Sequence, residues 1–434
     1  MNVRRSAAAL AVSVVLGAAA APAAFADDAP SPKPKQSALP QGLYGTKDPT
    51  YDGVWRQSLA LLAQDAVGVT PAESGVKWLA GQQCADGGFV PFRHETATPC
   101  TAKNVDSNAT AAAVQALAAV GGHGAAVEKG VGWLKKNQNE DGGWGMNPGG
   151  DSDANSTAVA VGALAAAGQD PAKIASAKGG KTPYDALLAL RLGCDAKKDE
   201  RGAFAYQPGK GDLAPNDVAT VAAALGATGQ GFVFEPVGRD DDEAVEPLEC
   251  GAGADKSDTK AKGAAAAEDA ADAADAYLVA KLAGNGQHLM AALPGQDPKP
   301  DLGSTADAVL ALAAGEHRAA AAKPLAWLQG KDSGAVAWAK DDPGALAKLI
   351  LATRSVGGDP RDFGGTDLVR ALNATGPKPA AASDHSGTQK QADEDKKKDD
   401  KGDSPFGLWW FIGVCAVAGI GIGFLLSGRK KQQL

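Results

Sequence analysis

The sequence has few aromatic residues, no Cys-x-x-Cys pair and no histidines at metal-binding spacing. Aromatic side chains make up 5% of the 434 residues, so alanine and glycine must fill much of the core. The five histidines are scattered along the chain. Structural zinc sites need closely spaced cysteine or histidine ligands. We therefore predict no metal site and no bound cofactor.

Acidic residues outnumber basic ones, 51 to 43. The formal net charge is −8, and it becomes −13 when Arg4, Arg5 and the three basic residues at 429–431 are set aside. No basic patch is visible, and proteins that bind nucleic acid need one. Nucleic acid is therefore not predicted as a partner.

Long apolar runs lie at the two ends of the chain. An apolar run after Arg4-Arg5 ends in Ala24-Phe25-Ala26, which is typical of a secretory signal peptide. The 21 residues 406–426 carry no charge and precede a basic cluster, which predicts a single membrane span with a cytoplasmic C-terminus. The domain organisation expected from these features is a signal peptide at 1–26, a linker at 27–40, an extracellular domain at 41–375, a disordered stalk at 376–405, a transmembrane helix at 406–426 and a tail at 427–434. The protein is thus predicted to lie in the cell membrane as a single-pass protein.

A repeated unit fills the extracellular domain. Val131–Gly145 largely repeats Val76–Phe89, and each copy precedes an Ala-rich segment. These segments open with Asp106-Ser-Asn-Ala-Thr110 and Asp153-Ala-Asn-Ser-Thr157. Repeats of roughly 40–50 residues are typical of helical arrays.

The repeat predicts six helical hairpins between about Tyr51 and Leu372. Arg56–Gly68 supplies the first unit, without the aspartate, and an acidic insertion near 235–262 stretches the fourth. Alignment on the threonine gives these helix openings: Asp106, Asp153, Asn216, Asp301 and Asp341. Such residues cap helix N-termini. The helices after them are apolar all round and should be buried, whereas their partners are amphipathic. We expect an all-α closed barrel of inner helices inside a ring of outer helices.

The cysteines fit an oxidising compartment. We predict the pairs Cys84–Cys100 and Cys194–Cys250, because each closes a loop with few other constraints. Sequence alone allows three connectivities for four cysteines. Cys415 lies in the predicted membrane helix and is left over.

The motif from Gln138 to Trp144, Gln-x-x-Asp-Gly-Gly-Trp, together with Asp-x-Asn-Ser-Thr-Ala at 153–158, resembles the prenyltransferase and squalene cyclase repeat. That family forms α/α toroids, which implies a toroid of about six hairpins here. In the cyclases the repeat's Gln and Trp tie adjacent outer helices together. The resemblance assigns that role to Gln138 with Trp144, and to Gln83 with Phe89.

The chain departs from the family at the catalytic positions. Class II cyclases protonate an alkene with the middle carboxyl of Asp-x-Asp-Asp-Thr-Ala, and Asn155 stands at that position here. Asn108 stands there in the earlier copy. The family's zinc-dependent transferases use Asp, Cys and His, and no Cys or His stands beside Asn216, Asp301 or Asp341. We expect Asn155 and Asn108 to be polar caps, and predict no catalytic residue.

Loop aromatics after the outer helices are the remaining site candidates. Two interpretations apply to them: packing that plugs the rim, or a shared apolar mouth for a ligand. The residues are Phe89, Phe92, Trp144, Phe204, Tyr206 and Trp338.

Three function classes follow. The first is a surface protein that captures a small molecule or docks on a membrane-protein partner, with a corrinoid as one ligand suggested by the resemblance to cobalamin carriers. The others are a secreted cyclase or transferase and a structural envelope protein. The missing acid motif and the predicted tether favour the first class.

Overall fold

A computed structural model describes residues 39–101, 104–209, 211–238, 240, 242–250, 263–291 and 297–380. The predicted signal peptide, transmembrane helix and cytoplasmic tail lie outside these residues, as does most of the linker and stalk. Within the described residues no helix is long and apolar enough to cross a membrane.

The described residues are mostly helical. Six helices form an inner ring: α1 (Gly53–Ala66), α3 (Ser107–Val120), α5 (Ala154–Ala166), α7 (Asp217–Ala227), α9 (Leu302–Ala314) and α12 (Pro343–Ser355). The remaining helices are α2 (Glu73–Gly81), α4 (Gly124–Lys136), α6 (Pro183–Leu188), α8 (Ala264–Gly284), α10 (Arg318–Gln329), α11 (Ala335–Ala339) and α13 (Leu368–Ala374). Strands β1 (Leu289–Ala291) and β2 (Lys299–Asp301) pair antiparallel before α9.

The inner helices form a closed ring. Each contacts the next in the order α1, α3, α5, α7, α9, α12, and α12 contacts α1. The outer helices lie against them: α2 against α1, α4 against α3, α6 against α5, α8 against α7, α10 against α9, and α13 against α12. The inner helices are rich in buried alanine and leucine, so they can pack on both sides. The prediction of inner and outer helices is confirmed.

Carboxylate and amide side chains begin the inner helices, as the repeat predicts. Asp106, Asp153, Asn216 and Asp301 each accept a hydrogen bond from the backbone N–H three residues later. The predicted opening of the sixth inner helix, Asp341, was wrong by one residue. Asp342 caps α12 by accepting from Ala345 N–H, whereas Asp341 has a φ of +60° and precedes the helix.

The threonine of the repeat joins the two rings. In four units its hydroxyl oxygen accepts a hydrogen bond from the backbone N–H of a buried residue that precedes the inner helix: Thr110 from Phe89, Thr157 from Trp144, Thr220 from Phe204 and Thr305 from Leu289. Gln57 takes this place in the first unit, where its Oε1 accepts from Tyr44 N–H at 2.8 Å. One local contact is therefore reused around the ring.

The Gly-Gly turns let each loop reach the next outer helix. Gly142 has a φ of +92°, and a Cβ there would lie 2.1 Å from the Thr182 carbonyl oxygen at the start of α6. Gly87 has a φ of +98° and approaches the Lys129 carbonyl of α4 in the same way. Only glycine fits such a close backbone approach at positive φ.

The acidic insertion near 235–262 is not simply solvated where the structure describes it. Asp242 accepts a hydrogen bond from Ala319 N–H at the start of α10, and Glu243 N–H donates to the Glu316 carbonyl. The disulfides Cys84–Cys100 and Cys194–Cys250 are both formed, so the predicted pairing is confirmed. The second one ties this insertion to the loop after α6.

The two ends of the toroid meet at α1 and α12. Gly45 N–H donates to the Thr375 carbonyl at 2.8 Å, and Tyr44 Oη donates to the Pro377 carbonyl at 3.3 Å. Gln64 on α1 donates to Asn373 Oδ1 of α13 at 2.7 Å. We call this junction the closure seam.

Candidate functional site

The inner ring encloses a cavity of about 430 Å³. This volume lies within the usual range of small-molecule sites. Every one of the six inner helices contributes side chains to it. The walls are largely apolar and include Trp55, Leu59, Val159, Val221, Leu225, Leu310 and Leu351.

The cavity opens at the N-terminal ends of the inner helices. Tyr51, Met146 and Val218 line it there, and their exposed fractions are 90%, 51% and 46%. Tyr206 and Trp338 are also exposed. They lie at the same end of the ring, since the Tyr206 carbonyl accepts a hydrogen bond from the N–H of Ala154, the first residue of α5, and Trp338 lies over Gly303 of α9. Exposed apolar side chains around an opening favour access by an apolar molecule.

A segment after α7 crosses the other end of the ring. Phe232 lies edge-on to Trp55 with ring centroids 5.7 Å apart, and its N–H donates to Gln115 Oε1 at 2.9 Å. Arg354 of α12 donates to the Phe234 carbonyl, which fixes the far side of the segment. We call residues 228–238 the floor segment. The apolar run Phe232-Val233-Phe234 is the sequence signal for this segment.

Two polar clusters face each other across the cavity. Asn108 on α3 and Asn155 on α5 form the first, and Asp307 on α9 with Lys348 on α12 forms the second. In a ring of six helices α3 lies opposite α9, and α5 lies opposite α12. Lys348 and Asp307 form an ion pair, whereas the Oδ1 atoms of both asparagines are buried without a hydrogen-bond partner among the described residues.

The prediction that Asn108 and Asn155 cap their helices is wrong. Asp106 and Asp153 cap α3 and α5 by accepting from Ala109 N–H and Ser156 N–H at 2.8 and 2.7 Å. The asparagines stand two residues further along, where their side chains line the cavity. Residues two positions apart point to different faces of an α-helix, so the asparagine side chains point away from the capping bonds that Asp106 and Asp153 make.

Carboxyl groups at the mouth are already engaged. Asp52 lies 3.3 Å from the Arg56 guanidinium, yet burial raises the pKa of Asp52. Burial likewise raises the pKa of Asp106, although its capping bonds oppose the shift. Both line the cavity. The pKa shifts therefore come mainly from desolvation rather than from a pair of converging carboxylates.

The six loop aromatics do not form a shared ligand mouth. Phe89, Trp144 and Phe204 are fully buried and do not line the cavity, so the packing interpretation applies to them. Trp144 Nε1 donates to the Leu134 carbonyl at 2.8 Å, which holds the ring against α4. Phe92 is half-buried and stacks on Trp78 away from the cavity. The exposed Tyr206 and Trp338 lie near the mouth without lining the cavity.

The repeat glutamines connect neighbouring units. Gln83 Nε2 donates to the Gly87 carbonyl of its own turn and to the Ala126 carbonyl of α4, at 3.0 and 2.8 Å. Gln138 Nε2 donates to the Gly142 carbonyl at 2.7 Å and lies 3.4 Å from the Ile174 carbonyl before α6. These side chains hold the outer helices together and lie outside the central cavity.

A buried Asp–His pair was missed by sequence reasoning. Asp275 on α8 is fully buried, with neither carboxyl oxygen hydrogen-bonded among the described residues, and Nε2 of His317 lies 3.7 Å from its Oδ2. Burial holds the pKa of Asp275 well above its usual value. The pair lies between α8 and α10, away from the cavity. The signal was an acidic residue at an inward position of a long Ala-rich helix.

No cluster of three or more His, Cys, Asp or Glu side chains in the described ranges could hold a metal ion. The polar groups that line the cavity include the amides of Asn108, Gln115 and Asn155, the carboxyls of Asp52 and Asp106, and the Asp307–Lys348 ion pair. Such groups orient a ligand by hydrogen bonds rather than through a metal.

The repeat and the ring of helices have counterparts in known proteins. Residues 49–183 match the prenyltransferase alpha-alpha toroid domain. The chain is similar to a protein from Actinoplanes, at 15% identity and a TM-score of 0.29, over 69% of this chain and 99% of that one. It is also similar to a type II terpene cyclase from Scytonema solved with geranylgeranyl dihydroxybenzoate, at the same identity and TM-score, over 74% of this chain and 98% of that one. Comparison with curated proteins gives no match. The matched residues contain both copies of the repeat and run from before α1 to the start of α6, so over this part the chain carries the prenyltransferase alpha-alpha toroid domain.

Proposed function

We propose that the toroid is a binding protein that holds a small, largely apolar molecule in its central cavity. The observation that carries this proposal is the cavity of about 430 Å³, walled by all six inner helices and open at an apolar rim. A purely structural protein has no use for such a space, because unfilled apolar cavities reduce stability.

Binding is favoured over catalysis by the residues at the mouth. Asn155 stands where the cyclase resemblance requires a proton donor, and an amide does not donate a proton to an alkene. Asn108 repeats the same change on the neighbouring helix. Asp307 forms an ion pair with Lys348, which keeps its carboxyl from acting as a free acid.

The predicted membrane tether gives the binding function a setting. A domain held outside the cell by a stalk of about 30 residues reaches roughly 30 Å, and tethering raises its effective concentration near a membrane-protein partner. The mouth, with Tyr51 and Met146, is then the surface that delivers or receives the ligand. The corrinoid suggestion draws no support from the cavity, because about 430 Å³ suits a much smaller molecule than a corrinoid.

Acid catalysis at Asp106 is the second candidate. Its carboxyl lines the cavity and burial raises its pKa, which is a property of general acids. Incubation with a linear polyene alcohol, followed by mass spectrometry, tests it. A cyclised product that disappears in Asp106→Asn would favour the enzyme; recovery of unchanged polyene favours binding.

A cavity-filling substitution tests the binding function. Ala222 on α7 lines the cavity, and Ala222→Phe places an aromatic ring inside it. Ala125→Phe on α4 is the matched control, because Ala125 is exposed on the outer ring. Calorimetric titration of proteoliposomes with 1-octanol should show binding for the wild type and for the control, and none for Ala222→Phe.

A second filling variant covers the case in which Ala222→Phe does not fold. Val159→Trp narrows the cavity from α5. If folded variants that fill the cavity bind 1-octanol as the wild type does, the ligand site is elsewhere and the proposal is wrong.

A further inference from the structure

The two unpartnered asparagines define the kind of head group that the cavity accepts. Asn108 and Asn155 line the cavity, their Oδ1 atoms are buried, and neither amide makes a side-chain hydrogen bond to the described part of the chain. Buried polar atoms are nearly always paired in folded proteins. A primary amide offers a donor and an acceptor together. The unpaired atoms are the two Oδ1 acceptors, so the missing partner must supply a donor.

The other polar side chains of the wall that are not exposed to solvent already have partners. Gln115 accepts from Phe232 N–H and donates to the Val159 carbonyl, so its amide holds the floor segment in place. Ser304 donates to Asp301 Oδ2 at 2.8 Å. Asp307 and Lys348 neutralise each other. The asparagine side of the mouth is consequently where a ligand gains new hydrogen bonds.

An anionic head group does not fit this mouth. Lys348 is the cation that lines the cavity, and Asp307 already neutralises it. Asp52 and Asp106 line the same end and would repel an anion. Helix N-termini attract anions through free N–H groups. Here a capping side chain already accepts from one of those groups on each of five inner helices: Asp106, Asp153, Asn216, Asp301 and Asp342.

A cationic head group does not fit either. The carboxylates that could pair with an ammonium are engaged, Asp52 with Arg56, Asp307 with Lys348 and Asp106 with Ala109 N–H. A buried charge without a partner carries a large desolvation penalty. An amide oxygen alone does not offset it.

We infer that the ligand of the cavity is an uncharged amphiphile, with an apolar body against α1 and α7 and a hydroxyl or amide head bound by Asn108 and Asn155. This inference rests on the proposed function, since it assigns the ligand class of the same cavity. The apolar body contacts Leu59, Val221 and Leu225, and the head lies at the mouth between α3 and α5.

A head-group series with one eight-carbon tail tests this assignment on the full-length protein in liposomes, by titration calorimetry with protein-free liposomes as the blank. The probes are 1-octanol, octanamide, octyl phosphate and octylamine. We expect 1-octanol and octanamide to bind about tenfold or more tightly than both charged probes. Tighter binding of octyl phosphate or octylamine would overturn the assignment.

The double variant Asn108→Ala/Asn155→Ala tests the two residues directly. It should weaken 1-octanol and octanamide about tenfold, which corresponds to about 1.4 kcal/mol, and leave propylbenzene, which has no polar head, unchanged. Asn104→Ala is the matched control, because Asn104 is exposed and does not line the cavity. Equal affinities for 1-octanol in the wild type and the double variant would overturn the role of the asparagines.

Failure of this inference is distinguishable from failure of the proposed function. If Ala222→Phe abolishes binding of every probe while head groups make no difference, the cavity binds ligands but the head-group assignment is wrong. If Ala222→Phe changes the binding of no probe, the binding function itself fails, and this inference fails with it.

Discussion

The threonine bond that joins the two rings permits a direct test of the fold. Thr157 is fully buried, and its Oγ1 lies 3.1 Å from the Trp144 backbone nitrogen. The substitution Thr157→Val keeps the shape of the side chain and removes the acceptor. The Trp144 N–H is then left inside the protein without the partner that the structure gives it.

The expected loss follows from that orphaned donor. A buried polar group without a partner destabilises a protein by about 1–3 kcal/mol. Unfolding entropy of about 2.1 cal/mol/K per residue gives roughly 0.7 kcal/mol/K for a domain of about 340 residues, so Tm should fall by about 1.5–4 °C.

Thermal unfolding followed by circular dichroism measures this change. Thr157→Ser is the control, because serine keeps the hydroxyl acceptor and loses only a methyl group. Thr220→Val, which removes the acceptor for Phe204 N–H at 2.9 Å, should reproduce the loss in the fourth unit. A Thr157→Val protein as stable as the wild type, or a serine variant as unstable as the valine variant, would refute the reasoning.

Three further predictions concern stability. Replacing Cys84 and Cys100 by serine opens a loop with a sequence separation of 16 residues and should lower the free energy of unfolding by about 3 kcal/mol in urea titrations; a loss below about 1 kcal/mol would contradict the chain-entropy account. Burial raises the pKa of Asp275, so the folded state holds this proton more tightly than the unfolded state and stability falls as pH rises above the usual value of 3.8. Asp275→Asn should therefore raise Tm at neutral pH and lose this advantage below that value, and an equal gain at both pH values would exclude the linkage. Asp153→Ala should lower stability by about 1 kcal/mol through loss of a cap, whereas Asn155→Ala should leave it nearly unchanged, which thermal melts of the two variants can compare.

The helices and their caps were predictable because they depend on local chemistry. Asp106 and Asp153 accept from N–H groups three residues away. Thr110 and Thr157 each accept from a residue of their own repeat unit, so the spacing of both contacts is visible in the sequence. Asp342 was missed because two adjacent aspartates offer alternative starts for α12.

The cavity was not predictable in the same way. Asn108 lines it because α3 belongs to a closed ring whose last helix lies more than 200 residues away in the sequence. The pair Asp307–Lys348 had a signal, since each is a lone charge in an otherwise apolar stretch of an inner helix. The loop aromatics were ambiguous because buried and exposed rings follow the same turns.

The closure seam makes the ligand site a property of the complete ring. Linkers along the chain join the other neighbouring inner helices of the described ring, whereas α1 and α12 meet through packing and through a hydrogen bond from Arg354 Nε to the Ala66 carbonyl. During synthesis the wall that carries Lys348 and Leu351 arrives last, after the five earlier inner helices have been made. An open array of hairpins can add units one at a time, but this cavity has no sixth wall until the first and last units associate. Contacts between residues so far apart in sequence slow folding, and the same noncovalent junction is where the ring can part without stretching the chain.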